Sequence, residues 1–193
     1  METLRIKHRD FQIIEKLDEG VYKCSFKNKD YVATRYEPGT SFSDELLFNL
    51  ERISNSGVSC PKLRWVDKKA GYYVRDYVEG QNMLSFLGEK DIDDKYLQDL
   101  FNNAYLAKIK GLSLDYSPDK WILVDDKLCY NDSFCARYDD RNDLVKAYLR
   151  LWFPTTEMEQ YCRKNGISID KSRSKDQYAV NKQIVLMVCK YYK

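Results

Sequence analysis

The sequence predicts an α+β chain in two lobes, an antiparallel-sheet lobe followed by a small helical one. Three observations carry that expectation. Short alternating runs fill most of the first 80 residues, a single amphipathic helix interrupts them, and from Ile92 onward the apolar period lengthens from two residues to about 3.6. The change of period divides one domain, 1–193, into a strand lobe with its hinge, 1–80, and a helical lobe, 81–193.

Gln12–Leu17, Val21–Lys27 and Tyr31–Tyr36 alternate as strands, and Lys27-Asn28-Lys29-Asp30 supplies a tight turn between the last two. A helix follows. Ser41 or Ser43 caps it, Leu46, Leu47, Leu50 and Ile53 form its apolar stripe, and Asn55-Ser56-Gly57 stops it. Two further strands are read at Leu63–Asp67 and Tyr72–Val78, closed by Glu79-Gly80.

In the second lobe Ile92, Tyr96, Leu97, Leu100, Phe101, Ala104 and Ala107 share one helical face, with Asp91 or Asp93 as cap and Gly111 past the end. A hairpin, Ile122–Val124 with Leu128–Tyr130, turns at Asp125-Asp126-Lys127. Helices are expected over Asp143–Phe153, from the capping box Thr156-x-x-Glu159 to Gly166, and from Ser174-x-x-Gln177. The last carries Val180, Ile184, Met187, Val188 and Tyr191 as its stripe.

Composition narrows the function classes. Hydrophobic residues make up 44% and charged residues 32%, the balance of a globular rather than disordered chain. No apolar run has the length of a membrane span and none follows Met1 as a signal peptide would, so no membrane partner is expected. Six cysteines without a C-x-x-C pair, far from the single His8, argue against zinc and fit reduced thiols in the cytoplasm. Charge is uneven: residues 1–143 carry 22 Lys/Arg against 26 Asp/Glu, and residues 144–193 carry 10 against 4. That basic end is either a nucleic-acid-binding surface or a solvated helical one, and no nucleic-acid motif accompanies it.

Three segments carry chemistry. In the first, Gly20 of Glu19-Gly20-Val21-Tyr22 precedes a strand, Tyr31-Val32-Ala33-Thr34-Arg35, that ends in a cation. A glycine lets backbone approach phosphate oxygens and a cation on the next strand neutralises them. In the second, Tyr72–Gly80, a strand runs into glycine punctuation. The third is Leu114-Asp115-Tyr116-Ser117-Pro118-Asp119-Lys120-Trp121-Ile122-Leu123-Val124, followed by Leu128-Cys129-Tyr130-Asn131-Asp132. A loop–hairpin unit of this kind holds two carboxylates at one site, one for an attacking hydroxyl and one for a metal.

In this order the segments resemble the protein-kinase-like superfamily. The first resembles its glycine-loop hairpin and V-A-I-K strand, and the second its strand-to-hinge passage. The third resembles the catalytic loop D-x-x-P-x-N with the hairpin that ends in the metal-binding Asp. Asn55-Ser56-Gly57-Val58-Ser59-Cys60-Pro61 resembles a turn of aminoglycoside-phosphotransferase-like and RIO-like kinases. The resemblance spans roughly residues 12–153. Only about ten residues separate Asp132 from the segment at Asp143, too few for a peptide-docking activation segment, so the likeness is to minimal families such as RIO-like and lipopolysaccharide-core kinases.

The resemblance implies ATP and Mg2+ as cofactors, with a nucleotide and an unidentified small-molecule or macromolecular substrate as partners. It implies Asp115 as the catalytic Asp, Asp132 as the metal ligand, and Gly20 and Arg35 at the phosphates. Backbone groups of Tyr77 and Val78 would meet the adenine, and Glu45, or failing it Glu51, would pair with Arg35. The departures are equally specific. One glycine stands where three are usual, Arg35 replaces Lys, and Ser113-Leu114 replaces the His-Arg of the catalytic loop. Ser133-Phe134 follows the metal Asp, and Lys120 holds the place of a magnesium-binding Asn. An ammonium group has no lone pair for a cation and supplies only charge. Asp119 beside it is a substitute ligand without support from spacing, and Asp139, Asp140 and Asp143 read as solvent-facing residues and a helix cap. An atypical ATP-dependent phosphotransferase is therefore the first reading. A pseudokinase acting as a nucleotide- or protein-binding module is the second, and nucleic-acid binding through the C-terminal helices is the third.

Overall fold

The computed structural model of the chain describes residues 2–169 and 176–192. The chain divides into two compact units, Met1–Asn55 with Cys60–Glu79, and Ser56–Ser59 with Gly80–Lys193.

The first unit is a six-stranded antiparallel sheet with one helix. Its strands are β1 (Thr3–Ile6), β2 (Arg9–Asp18), β3 (Val21–Phe26), β4 (Lys29–Arg35), β5 (Leu63–Asp67) and β6 (Tyr72–Asp76), in the spatial order β1-β2-β3-β4-β6-β5. Lys7-His8 and Lys27-Asn28 make two-residue turns with positive φ at both positions, the turn geometry that matches strand twist. β1 and β5 are opposite edges of the sheet, yet the Lys7 amide donates to Asp67 Oδ2 at 2.6 Å and the Phe11 and Trp65 rings lie 5.5 Å apart. The sheet is therefore curled.

Inside the curl, Ile6, Phe11, Cys24, Tyr31, Ala33 and Val74 form the core, with Trp65 edge-on to Tyr31. Each large side chain so buried contributes about 1.5–3 kcal/mol. Strict alternation sets the faces: Cys24 pairs with Tyr31 and Ala33 with Val74 on the core face, whereas Lys23 pairs with Val32, and Val32 with Arg75, on the other.

The helix α1 (Ser41–Asn55) buries Ser43, Asn49, Leu50 and Ile53. Its cap is Thr40, not Ser41 or Ser43. A capping oxygen reaches an amide two or three residues on, and Thr40 Oγ1 accepts the Ser43 N–H at 3.2 Å.

The second unit begins with β7 (Gln81–Asn82) and α2 (Met83–Glu89). Sequence periodicity misses α2 because Met83, Leu84, Phe86, Leu87 and Gly88 are all buried, leaving only Ser85 and Glu89 to mark a polar face. Helix α3 (Asp94–Ile109) leads to β8 (Leu112–Leu114), then to the hairpin β9 (Trp121–Val124) and β10 (Lys127–Tyr130), then to β11 (Cys135–Arg137). β7 adds to the hairpin as a third strand, and β11 pairs with β8.

The segment expected as an α-helix over 143–153 is instead π-helical at Leu144–Tyr148 and 3-10 at Leu149–Trp152. Leu144 and Leu149 are both buried. Their five-residue spacing shares one face only in a turn whose bond runs from the Leu149 N–H to the Leu144 carbonyl.

α4 (Thr156–Lys164) is capped by Thr155 rather than by a box at Thr156. Thr155 is fully buried, accepts the Met158 amide at 3.1 Å and donates to Arg150 O at 2.7 Å. In α5 (Gln177–Tyr191) Asp176 caps through the Tyr178 amide, and the expected start at Ser174 lies outside the described residues. Val180 is buried, and Lys190 and Tyr191 both bond Asp94 of α3 at 2.7 Å. Among the described residues no helix is long and apolar enough to cross a membrane.

Candidate functional site

In the second unit all three residues of β8 are buried, and Asp115 emerges at the strand's end. Its backbone is tied at both groups. The amide donates to the Tyr130 hydroxyl at 3.3 Å, and the carbonyl accepts Trp121 Nε1 at 3.2 Å. Trp121 itself is fully buried against Tyr116, Tyr130 and Trp152. Asp115 Oδ1 accepts the Ser117 amide at 2.9 Å, and a 3-10 turn over Pro118–Lys120 delivers the Lys120 side chain.

Across the hairpin, β10 delivers Asp132. Its Oδ1 accepts the amides of Ser133 (2.6 Å) and Phe134 (2.9 Å). Its Oδ2 faces Lys120 Nζ at 3.4 Å, and the same ammonium lies 3.1 Å from Asp119 Oδ2. Asp119 is held from the other side by the Tyr161 hydroxyl of α4, which donates to Oδ1 at 2.6 Å. The hydrogen bond to Asp119 raises the Lys120 pKa above its ordinary value, although partial burial opposes it. Burial, with Asp119 beside it, pushes the Tyr161 hydroxyl up to about 12.

Lys120 and Asp132 thus meet in one ion-pair network, where the pseudokinase reading of the sequence pairs this lysine with Asp115 or Asp132. Asp119 belongs to it as an anchor for the lysine, and Tyr161 is a member that sequence reading missed. No local signal marks Tyr161, which lies 42 residues from its partner.

The arrangement bears on magnesium. Ammonium is a donor only, and magnesium demands near-ideal octahedral oxygen ligation. With two amides on one oxygen of Asp132 and the lysine on the other, the donor set as built does not fit the ion. The acidic run downstream does other work. Asp139 pairs with Arg141, and buried Asp143 caps the following turn through the Val145 amide.

Gly20, Arg35, Glu45, Tyr77 and Val78 belong to the first unit. Gly20 has φ +71°, and a Cβ there would sit 3.1 Å from that of Arg35, whose amide donates to the Gly20 carbonyl at 2.7 Å. Arg35 shares the strand parity of Tyr31 and Ala33 and is exposed at the strand's end. There it lines an open cavity of about 740 Å³ with Lys16, Glu19, Glu37 and Lys69. The expected ion pair is not made: among the described residues Arg35 has no carboxylate within salt-bridge distance, neither Glu45 nor Glu51. Both glutamates are exposed, away from the positions that α1 buries.

The opposite face of the sheet carries different cations. Lys23 and Arg75 flank Val32 there, and the Lys23 side chain is only 18% exposed. Its Nζ lies 3.9 Å from the centre of the Tyr77 ring and 3.6 Å from Asp30. Strand parity was the available signal for Lys23, since it is out of phase with Cys24 and Tyr22. The Tyr77 amide is engaged by Asp30 O at 3.2 Å, whereas Val78 makes no hydrogen bond among the described residues.

No family model and no curated protein matches the chain. Among solved structures it is similar to the kinase PK-1 of the Cydia pomonella granulovirus, with 20% identity and a TM-score of 0.50, over 66% of this chain and 52% of that one. Identity at this level speaks to fold alone, and the fold is kinase-like: a mixed chain with a curled antiparallel sheet and helices. The match takes in about half the length of the viral kinase.

Proposed function

We propose that the protein is a two-lobed pseudokinase that binds nucleotide without magnesium, with Val78-Glu79-Gly80 as hinge and Lys120 as its built-in cation. The observation that carries this reading is the Lys120 ammonium lodged between Asp119 and Asp132. A tethered charge at that position offsets phosphate charge and costs no metal binding. Gly20 and Lys23 support the same reading in the first unit, and Val78, with unused backbone groups, is the better adenine partner than Tyr77. Six cysteines, none of them in a disulfide, favour the cytoplasm as its compartment.

The test is thermal stabilisation by ATP with and without magnesium. A ligand that binds only the folded state stabilises it in proportion to the logarithm of its concentration. Equal stabilisation in both conditions is expected, and none in either condition removes nucleotide from the reading.

One observation favours an active phosphotransferase instead. Asp115 is fixed at both backbone groups, yet its Oδ2 has no hydrogen bond among the described residues, as a proton acceptor requires. Turnover of ATP that disappears in Asp115→Asn would establish that alternative.

A further inference from the structure

A second charged feature lies in the first unit. The β1–β2 turn and the β5–β6 turn flank an open groove of about 940 Å³, with Val66, Ala70 and His8 in its lining. Arg5, Lys7, Arg9, Lys68 and Lys69 line it, against a single acid, Asp67.

That single charge offsets only part of theirs. Asp67 Oδ2 accepts the Lys7 amide at 2.6 Å, and Oδ1 accepts the amides of Lys69 and Ala70 at 3.0 Å each. These backbone bonds, with the Lys7 charge nearby, hold its pKa below the usual range, and among the described residues no lysine side chain of the groove makes a salt bridge with it. The same bonds fix the two turns to each other. Arg9 is fixed as well: it lies over the Trp65 ring at 5.4 Å and donates to Lys7 O at 3.1 Å. Of these cations only Arg5 has a salt bridge among the described residues, a long one to Asp10 at 3.9 Å with both groups mostly exposed, which is worth little. Lys7 and His8 also hold φ of 46° and 63° in a turn that Asn-Gly would make at lower cost.

We propose that this groove binds single-stranded nucleic acid, the cations taking phosphates and the apolar lining taking sugar and base surface. A concave lining that mixes cations with apolar side chains favours a strand over a flat anionic membrane. The proposal is independent of the nucleotide reading and places polyanion binding in the sheet unit, not in the C-terminal helices. Of the basic residues there, Lys171, Arg173, Lys175 and Lys193 lie outside the described residues.

The experiment is fluorescence anisotropy of a labelled single-stranded oligonucleotide, DNA and RNA in parallel arms, titrated with the full-length protein over a range of salt. Five phosphate contacts predict a slope of log K against log salt of about −3.5. Lys68→Glu/Lys69→Glu, at an exposed turn, is expected to weaken binding at least tenfold and to flatten the slope by about 1.4, two contacts' worth. Arg163→Glu/Lys164→Glu on α4 makes the same change of net charge elsewhere and is expected to alter affinity less than twofold. Equal losses from both variants would reduce the effect to net charge and overturn the groove. The absence of binding at low salt, a salt-independent affinity, or binding to anionic phospholipid vesicles in place of oligonucleotide would overturn it as well.

Discussion

The Tyr161 hydroxyl donates a 2.6 Å hydrogen bond to Asp119 and so fixes, from a helix 42 residues away, the carboxylate that holds Lys120. Without it Asp119 would rotate and the ammonium would rest on Asp132 alone. Tyr161→Phe is expected to cost about 1.5 kcal/mol of stability, the lower end for a bond to a charged group. A merely structural loss would stop there. A positioning role also lowers the Lys120 pKa toward its ordinary value, which NMR titration of the lysine side chain reads directly. An unchanged lysine titration would leave Tyr161 without that role.

Trp121 holds the same loop from beneath. Trp121→Phe keeps most of the ring packing but removes the donor to Asp115 O, at about 1–2 kcal/mol. Trp121→Ala also opens a cavity among Tyr116, Tyr130 and Trp152, and is expected to cost about 3–5 kcal/mol. Urea unfolding of both variants measures the two steps separately.

What could be read from sequence follows from how local each signal is. The hairpin at 121–130 and strands β3 to β6 were legible because alternation and turn residues lie within ten positions of one another. The four-residue β1 and the largely buried α2 were not, since the alternation of β1 is too short to stand out and α2 buries five of its seven residues. Arg35 illustrates a subtler limit. Its identity as a strand-end cation was visible, but parity with Ala33 puts it on the core side of the strand, and Lys23 takes the other face. The meeting of Lys120 with Asp132 was readable as an alternative, because both lie on one loop–hairpin unit. Tyr161 and the Lys7–Asp67 bond, 60 residues apart, were beyond any local rule.

Gly80 is required by proximity. A Cβ at this position would stand 2.4 Å from Leu123 O and 2.9 Å from Val124 Cγ2, so any side chain pushes β7 off β9. Gly80→Ala is expected to destabilise by about 1–3 kcal/mol, as overpacking does. Faster amide exchange at Gln81 and Asn82 would locate the damage, and unperturbed exchange there would contradict this account.

Stability should fall steeply above about pH 10, the ordinary tyrosine pKa. Burial pushes the hydroxyls of Tyr138 and Tyr161 up to about 12 and those of Tyr116 and Tyr130 well above the usual value. The unfolded chain then loses these protons first, and each buried tyrosine withdraws up to about 1.4 kcal/mol per pH unit until its folded pKa is reached. Lys120 acts in the same direction. Its folded pKa is raised, so the ion pair contributes fully below about 10.4 and is lost as pH rises through the folded value. Exposed tyrosines such as Tyr105 and Tyr178 ionise first in the folded chain, and the remaining rise of tyrosinate absorbance should coincide with the loss of circular dichroism; complete ionisation before unfolding would refute the burial argument.

Lys120→Asn separates the two functional readings. The variant removes the ammonium from Asp132 Oδ2 and supplies a carbonyl oxygen in its place, which turns a charge-neutralising pair into two oxygen donors. Stability should drop by only about 1 kcal/mol, because the ion pair is partly exposed and solvent screens it. Nucleotide affinity should respond much more. In wild type, calorimetric titration of ATP is expected to give the same affinity with and without magnesium, since the lysine already holds the metal's carboxylate. In Lys120→Asn magnesium should tighten ATP binding by about tenfold, the scale on which a single ligand group tunes metal affinity. Strong magnesium dependence already present in wild type would mean that Lys120 swings away from Asp132 when nucleotide binds. The pseudokinase reading would then give way to the phosphotransferase, with Asp115 as its proton acceptor.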